Sequence, residues 1–572
     1  MTVTKIVYSI GHNTGLTVHN FLSTSHQINT LRRLYKTLIT TTPKDLITLV
    51  PSMCSNYYDW WMALVRQDPV HVLIETILVS FLLYLLLVRK KEKDRKKMQD
   101  RLTDTEIEDL LKEWKEKGRV TLAGVPIEDW ESRSEEDRKD KLLNMKDIVV
   151  ESMEGSKMVV KVGSNSNLKM NEKNTSKTLT VLNFATFDFL GMSCPEKSSD
   201  VVDVVKEASR KALEKYGCGS CGPRGFYGTI DAHLDLEEAM TSFLETDGAI
   251  LYSDGAAASA STVAAFAKRG DLLVVDEGIY EALGTGVILS RANVKYFKHN
   301  DMEDLRRVLE RVQATDESLN RKKNDQRRFI VAEALYKNYG TLCPLDELVK
   351  LKEEFCYRLI LDESFSFGAL GPTGKGALEL FNLEPMRHAE IVTFSLENTI
   401  GSIGGITVGD EEVVDHQRLS GAGYCFSASL PPFLASAAQA SLERLKGESQ
   451  LLVDLQENID YFYEEMNIQM SSIIPDKVMI TSLENVSPIV YLQHTKNEDH
   501  VLTRDEQVDL FDKVAAYCLE NGVFVISTGS HVYEHLHKIP PPAIRMTIMA
   551  KQSKSDIDTA IKVLKKAMVT IL

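Results

Sequence analysis

The sequence predicts an α/β protein built on a mostly parallel sheet with helices on both faces, and three observations predict it. From Thr180 onward short apolar runs alternate with helical patterns, and strands separated by helices pair in parallel. The runs are Ala249–Tyr252, Leu272–Val275, Phe329–Ala332, Arg358–Leu361 and Glu390–Phe394. The chain has 572 residues, of which 43% are hydrophobic and 26% charged, enough for a sizeable core under an ordinary globular surface. Finally, the strand-like Ile391-Val392-Thr393-Phe394 runs into a small-residue turn that ends in the pair Gly404-Gly405. In a large α/β enzyme such a turn can hold a reactive side chain over a flat ligand.

A chain this long is expected to form two or three units plus tails. Its net charge of −15 argues against nucleic acid as the main partner. Eight cysteines are scattered without a disulfide framework, which fits reduced thiols on the cytosolic side. Cys218 and Cys221 form a C-x-x-C pair, but neither a second pair nor a histidine ligand motif follows nearby, and no metal site is expected.

Residues 1–44 contain no Asp or Glu and are rich in Ser and Thr. Two readings are open for 1–69: a transit peptide, or a lumenal extension whose Tyr57, Tyr58, Trp60 and Trp61 form an aromatic belt at a membrane surface. The run VLIETILVSFLLYLLLV, Val72–Val88, would extend about 25 Å as a helix. That suits a single transmembrane helix over 70–89 in a thin bilayer such as the endoplasmic reticulum. Arg89, Lys90, Lys91, Lys93, Arg95, Lys96 and Lys97 follow it, which places the bulk of the chain in the cytosol.

Residues 90–178 read as a basic juxtamembrane segment, an amphipathic helix and a connector with short strands. In the helix, Thr103–Lys117, Thr105 with Glu108 makes a capping box and Ile107, Leu110, Leu111 and Trp114 share one face. It either rests on the membrane or packs on the main domain. The strand–helix alternation occupies 179–430, with Asp316–Arg328 as a charged surface loop, and a smaller unit follows over 431–572.

Several stretches between Asn183 and Arg545 resemble, in order and spacing, the α-oxoamine synthases, which use pyridoxal phosphate (PLP) to join an amino acid to an acyl-CoA. Asn183-Phe184-Ala185-Thr186-Phe187-Asp188-Phe189-Leu190-Gly191 is similar to the family's entry motif. The loop Tyr216–Gly228 follows, with Arg224 and two aromatics among its glycines, and then His233, Leu236 and Glu237. Asp415–Pro432 is similar to a segment that reaches towards the neighbouring subunit's cofactor. The resemblance implies the PLP-dependent transferase fold type I, with a large domain and a smaller C-terminal α/β domain. It also implies an interface and active-site wall made by Cys221, Gly222, Arg224, Phe226, Tyr227, Tyr424 and Ser427.

Against the family pattern T-F-x-K-x-x-G-x-x-G-G, Asn398 takes the place of the Schiff-base lysine. An asparagine amide is neither a nucleophilic amine nor a useful base near neutral pH. Tyr280 stands where a histidine stacks on the cofactor ring, and Phe365 where a second histidine approaches its phenolic oxygen. Ala256, after Gly255, replaces an aromatic near the phosphate. Glu333 and Asp362 are kept, Asp362 being the partner of the pyridinium nitrogen in the family. Arg545 falls where the family binds the amino-acid carboxylate, and an ordinary surface arginine is the other reading.

The resemblance therefore implies a chain that is inactive alone, with a vestigial cofactor site and no catalytic residue of its own. A lysine-bearing partner subunit of the same fold would hold PLP covalently, and the pair would condense L-serine with palmitoyl-CoA. Small membrane activators, Orm-type regulators and membrane lipid are further implied partners. Two rival readings are an independently active synthase of another specificity and a purely regulatory scaffold.

Overall fold

The computed structural model describes residues 84, 148–162, 177–193, 203–321, 326–470, 478–481, 486–495, 502–529 and 536–571. The chain divides into two units, residues 1–130 and 131–572, and the architecture below is that of the second. The expected extension, the amphipathic helix and, apart from Tyr84, the membrane span lie outside the described residues. Among those described, no helix is long and apolar enough to cross a membrane.

Strands β1 (Ile148–Glu154), β2 (Lys157–Val162) and β3 (Lys177–Asn183) form an antiparallel meander. The central sheet is made of β4 (Gly248–Tyr252), β5 (Leu272–Asp276), β6 (Asn293–Phe297), β7 (Arg328–Glu333), β8 (Arg358–Asp362), β9 (Ile391–Ser395) and β10 (Gly405–Gly409). Its strand order is β4-β10-β9-β8-β7-β5-β6. All pairings are parallel except those of β10, which runs antiparallel to both neighbours. The last strands are β11 (Val478–Ile480), β12 (Ile489–His494), β13 (Val523–Phe524), β14 (Ile526–Ser527) and β15 (Ala543–Thr547). Of these, β11, β12, β15 and β14 make a third sheet, whereas β13 joins β3 in parallel.

The central strands are buried on both faces because side chains alternate across the sheet. Leu272, Val274, Ile330, Leu359, Leu361 and Val392 belong to one core, and Leu273, Val275, Phe329, Val331, Ile360 and Ile391 to another on the opposite face. All five strand candidates from the sequence are present, within a residue or two. Strand β3 runs across residue 179, where the large domain is expected to begin, and pairs with β13 near the C-terminus.

The surface loop expected over Asp316–Arg328 is also shorter than that. Helix Met302–Leu319 runs through Asp316, whose carboxylate turns inward to form a 2.5 Å ion pair with the largely buried Arg328.

The helix Asp231–Leu244 starts with an unusual cap. Fully buried His233 accepts a hydrogen bond at Nδ1 from the Ile230 N–H (3.1 Å) and meets the Leu430 carbonyl through Nε2 (2.6 Å). A donor on one side and an acceptor on the other select the neutral Nε2–H tautomer. Burial accordingly lowers the His233 pKa below its ordinary 6.5. Below that pH the unfolded chain binds a proton that the folded one resists, so this contribution is present above 6.5 and is lost as pH falls through the depressed folded value. In urea titrations, wild type should lose stability on acidification below pH 6.5 more steeply than H233Q, by up to about 1.4 kcal/mol per pH unit.

Candidate functional site

The carboxyl ends of β5, β7 and β8 converge where the strand order reverses, the place at which open α/β sheets form a ligand crevice. Asp362 ends β8 with its side chain buried. One oxygen accepts from Ser259 Oγ (2.7 Å) and the Tyr280 hydroxyl (3.0 Å), the other from the Ser364 N–H (2.8 Å). Tyr280 is 7% exposed, and its hydroxyl also lies 2.8 Å from Ser259 Oγ. Its backbone N–H donates to Glu333 Oε1 at 2.6 Å, while the Lys337 N–H donates to Oε2 at 2.9 Å. Burial raises the pKa of Asp362, Glu333 and Tyr280; for Glu333 and Tyr280 the nearby Asp362 charge adds to the effect.

Aromatic rings fill the space in front of these carboxyls. Phe365 meets Tyr280 edge-on at 6.0 Å and Phe187 at 4.9 Å, and the Arg545 guanidinium lies 4.2 Å over the Phe187 ring. Arg545 also donates through Nη2 to the Ala185 carbonyl at 2.7 Å. Cation–π and edge-to-face contacts of this kind suit a closed, water-poor stack.

Asn398 donates through Nδ2 to the Ser364 carbonyl at 2.7 Å. The turn that carries it needs glycine at position 401, where φ is +69° and a Cβ would lie 2.9 Å from the Ser193 backbone nitrogen. Gly255 opens the helix Gly255–Phe266, and a Cβ there would collide with Ser395 Oγ at 2.5 Å. Two carboxylates occupy this helix start: Asp254 accepts from the Ala257 N–H (2.7 Å), and Glu397 Oε1 accepts from the Gly255 N–H (3.4 Å).

The second expected surface is split. Cys221 is exposed at φ +63°. Phe226 and Tyr227 are 68% and 92% exposed, and Leu419 and Phe426 are 87% and 83% exposed. The two segments are tied together where the Ser429 N–H and Oγ donate to the Gly222 carbonyl at 3.0 and 2.7 Å. Ser427 is partly buried, its Oγ 3.5 Å from that of Ser253.

Arg224 and Tyr424, two residues of the expected interface and active-site wall, are buried within the chain. Arg224 turns inward to a paired contact with Glu237 (2.9 Å to each oxygen) and to the Leu251 carbonyl, and lies 5.5 Å from the Tyr424 ring centroid. Tyr424 is itself buried. A buried guanidinium must be paired, and Glu237 pairs it within the chain.

Residues 181–564 match the family model for aminotransferase class I and II. Serine palmitoyltransferase 1 of Dictyostelium discoideum is 35% identical over 517 residues, covering 90% of this chain and 97% of that protein. The chain belongs to the serine palmitoyltransferase 1 family. Long chain base biosynthesis protein 1 of Arabidopsis thaliana is 36% identical over 497 residues, 87% of this chain and 91% of that protein. The fold is that of bacterial serine palmitoyltransferase. The Sphingomonas wittichii structure superposes with a TM-score of 0.62 at 21% identity, over 76% of this chain and 96% of that one. A lysine-to-alanine variant of the S. paucimobilis enzyme, solved with a bound PLP–myriocin aldimine, gives 0.61 at 22%, over 77% and 99%.

The serine palmitoyltransferase fold is thus associated with PLP in solved relatives, but the residues of this chain do not fit that group. The carboxylate that would face a pyridinium nitrogen already accepts the Tyr280 hydroxyl. Asn398 supplies no amine, and two carboxylates stand where a phosphate would need positive potential. Among the described residues no cluster of three or more His, Cys, Asp or Glu side chains is placed to hold a metal.

Five residues of these surfaces are given no role by the sequence of this serine palmitoyltransferase 1 homologue. Glu397 carried a signal, as an acid next to the lysine seat. Ser259 and Phe187 act through side-chain direction alone, which spacing does not reveal. Leu419 and Phe426 lie in a quoted segment but are told apart from Tyr424 only by exposure.

Proposed function

We propose that this chain is the non-catalytic, membrane-anchoring subunit of a heteromeric serine C-palmitoyltransferase. The complex condenses L-serine with palmitoyl-CoA to 3-oxosphinganine, CO2 and CoA, the first step of sphingolipid biosynthesis. The observation that carries this reading is the pairing of Asn398, in the amine's seat, with a Tyr280–Asp362 hydrogen bond that closes the adjacent ring site. The partner is a second subunit of the same fold whose lysine holds PLP.

This chain offers that partner the exposed aromatics Phe226, Tyr227 and Phe426 with Leu419, apolar area of the kind that anchors interfaces. The run Val72–Val88 anchors the complex in the endoplasmic reticulum membrane with the bulk of the chain cytosolic, and it is the segment a small activating subunit and Orm-type regulators would engage. Tagged chain purified from detergent-solubilised membranes should bring along a lysine-bearing homologue in equal amount. Recovery of the chain without it would contradict the proposal.

A further inference from the structure

We infer that the cofactor site is closed by the chain's own side chains, part by part, so that supplying the missing amine alone does not reopen it. This rests on the subunit reading above and extends it from a missing lysine to an occupied pocket. Three seats of a phosphorylated pyridine cofactor can be located by their surroundings, and each already has a tenant.

The ring seat lies over Asp362. There the Tyr280 hydroxyl reaches Asp362 Oδ2 at 3.0 Å and Ser259 Oγ at 2.8 Å. Tyr280 is held at its backbone by Glu333, and Phe365 and Phe187 pack behind it under the Arg545 guanidinium. An arriving ring would have to displace a buried tyrosine and break its bonds to both Asp362 and Ser259. Leaving a buried acceptor unpaired is costly.

The anion seat is the start of helix Gly255–Phe266, where N–H groups and the helix dipole favour negative charge. Glu397 and Asp254 supply that charge from within, and a phosphate beside two carboxylates would meet like-charge repulsion. The amine seat holds Asn398, tied to the Ser364 carbonyl. Tyr280, Glu397 and Asn398 thus divide among themselves the places of ring, phosphate and lysine.

The test uses the assembled pair with its unaltered partner and counts PLP per pair. Wild type and N398K should both hold one equivalent. Y280A/E397A/N398K, which vacates the ring seat and frees the Gly255 N–H at the anion seat while adding the amine, should rise towards two, a twofold change. N398K alone reaching two would overturn the inference, as would an assembled triple variant that stays at one.

Should the triple variant not assemble, Y280A/E397A can be titrated with pyridoxamine phosphate, which needs no lysine. Ligand bound in excess of the wild-type pair supports the closure, and none in excess contradicts it. Failure of a lysine-bearing partner to co-purify overturns the subunit reading alone. The variants are then compared with wild type in whatever assembly the full chain forms.

Discussion

Glu237→Ala is expected to destabilise the fold by about 3–5 kcal/mol, the usual cost of stranding one member of a buried ion pair. Arg224 and Glu237 have side chains only 4% and 8% exposed. Glu237 serves two clients, because its Oε1 also accepts the Leu251 backbone N–H at 2.7 Å. Removing it leaves a guanidinium and a strand N–H unpaired in the interior, at the junction of β4 with the glycine-rich loop. The urea midpoint should fall sharply, or soluble chain should fail to accumulate. R224M/E237L removes both charges and should recover part of the loss, but not all, because Leu251 still lacks an acceptor. A midpoint unchanged in E237A would mean that Arg224 faces solvent or a partner.

Tyr227→Asp with Phe426→Asp is expected to abolish association while leaving the fold intact. Both rings project from the surface, and neither contributes to the core clusters. Placing carboxylates at the centre of a desolvated contact costs several kcal/mol, so recovery of the lysine-bearing subunit should drop at least about tenfold. The circular dichroism and urea midpoint of the purified chain should not move. Retained partner with these substitutions would place the contact elsewhere.

Much of the fold was legible because a buried parallel strand is a short apolar run, and β5, β7, β8 and β9 are such runs. Two central strands were missed for physical reasons. The β6 strand is a sheet edge whose alternating exposure admits Asn293 and Lys295, so its apolar signal is broken. The β10 strand begins and ends in glycine and reads as the tail of the preceding turn. The β3–β13 pairing joins segments more than three hundred residues apart, which no local pattern announces.

At the site, Asn398 was legible because Gly401 and the Gly404-Gly405 pair fix its seat, and Tyr280 and Phe365 because Asp276 and Asp362 precede them at the family's spacing. What those residues do with the vacated chemistry was not, since it depends on where side chains point. The Tyr280 hydroxyl turns onto Asp362, and the Glu397 carboxylate onto a helix start. The inward turn of Arg224 was illegible for the same reason, since its partner Glu237 lies on the next helix and only side-chain direction brings the two together.

The most direct measurement is 3-oxosphinganine formation from L-serine and palmitoyl-CoA by the full-length chain purified from a host lacking any lysine-bearing homologue, beside the same chain co-expressed with its partner. No product from the solitary chain and robust turnover by the pair is the result expected of a subunit whose amine seat holds Asn398. Turnover by the solitary chain would contradict it.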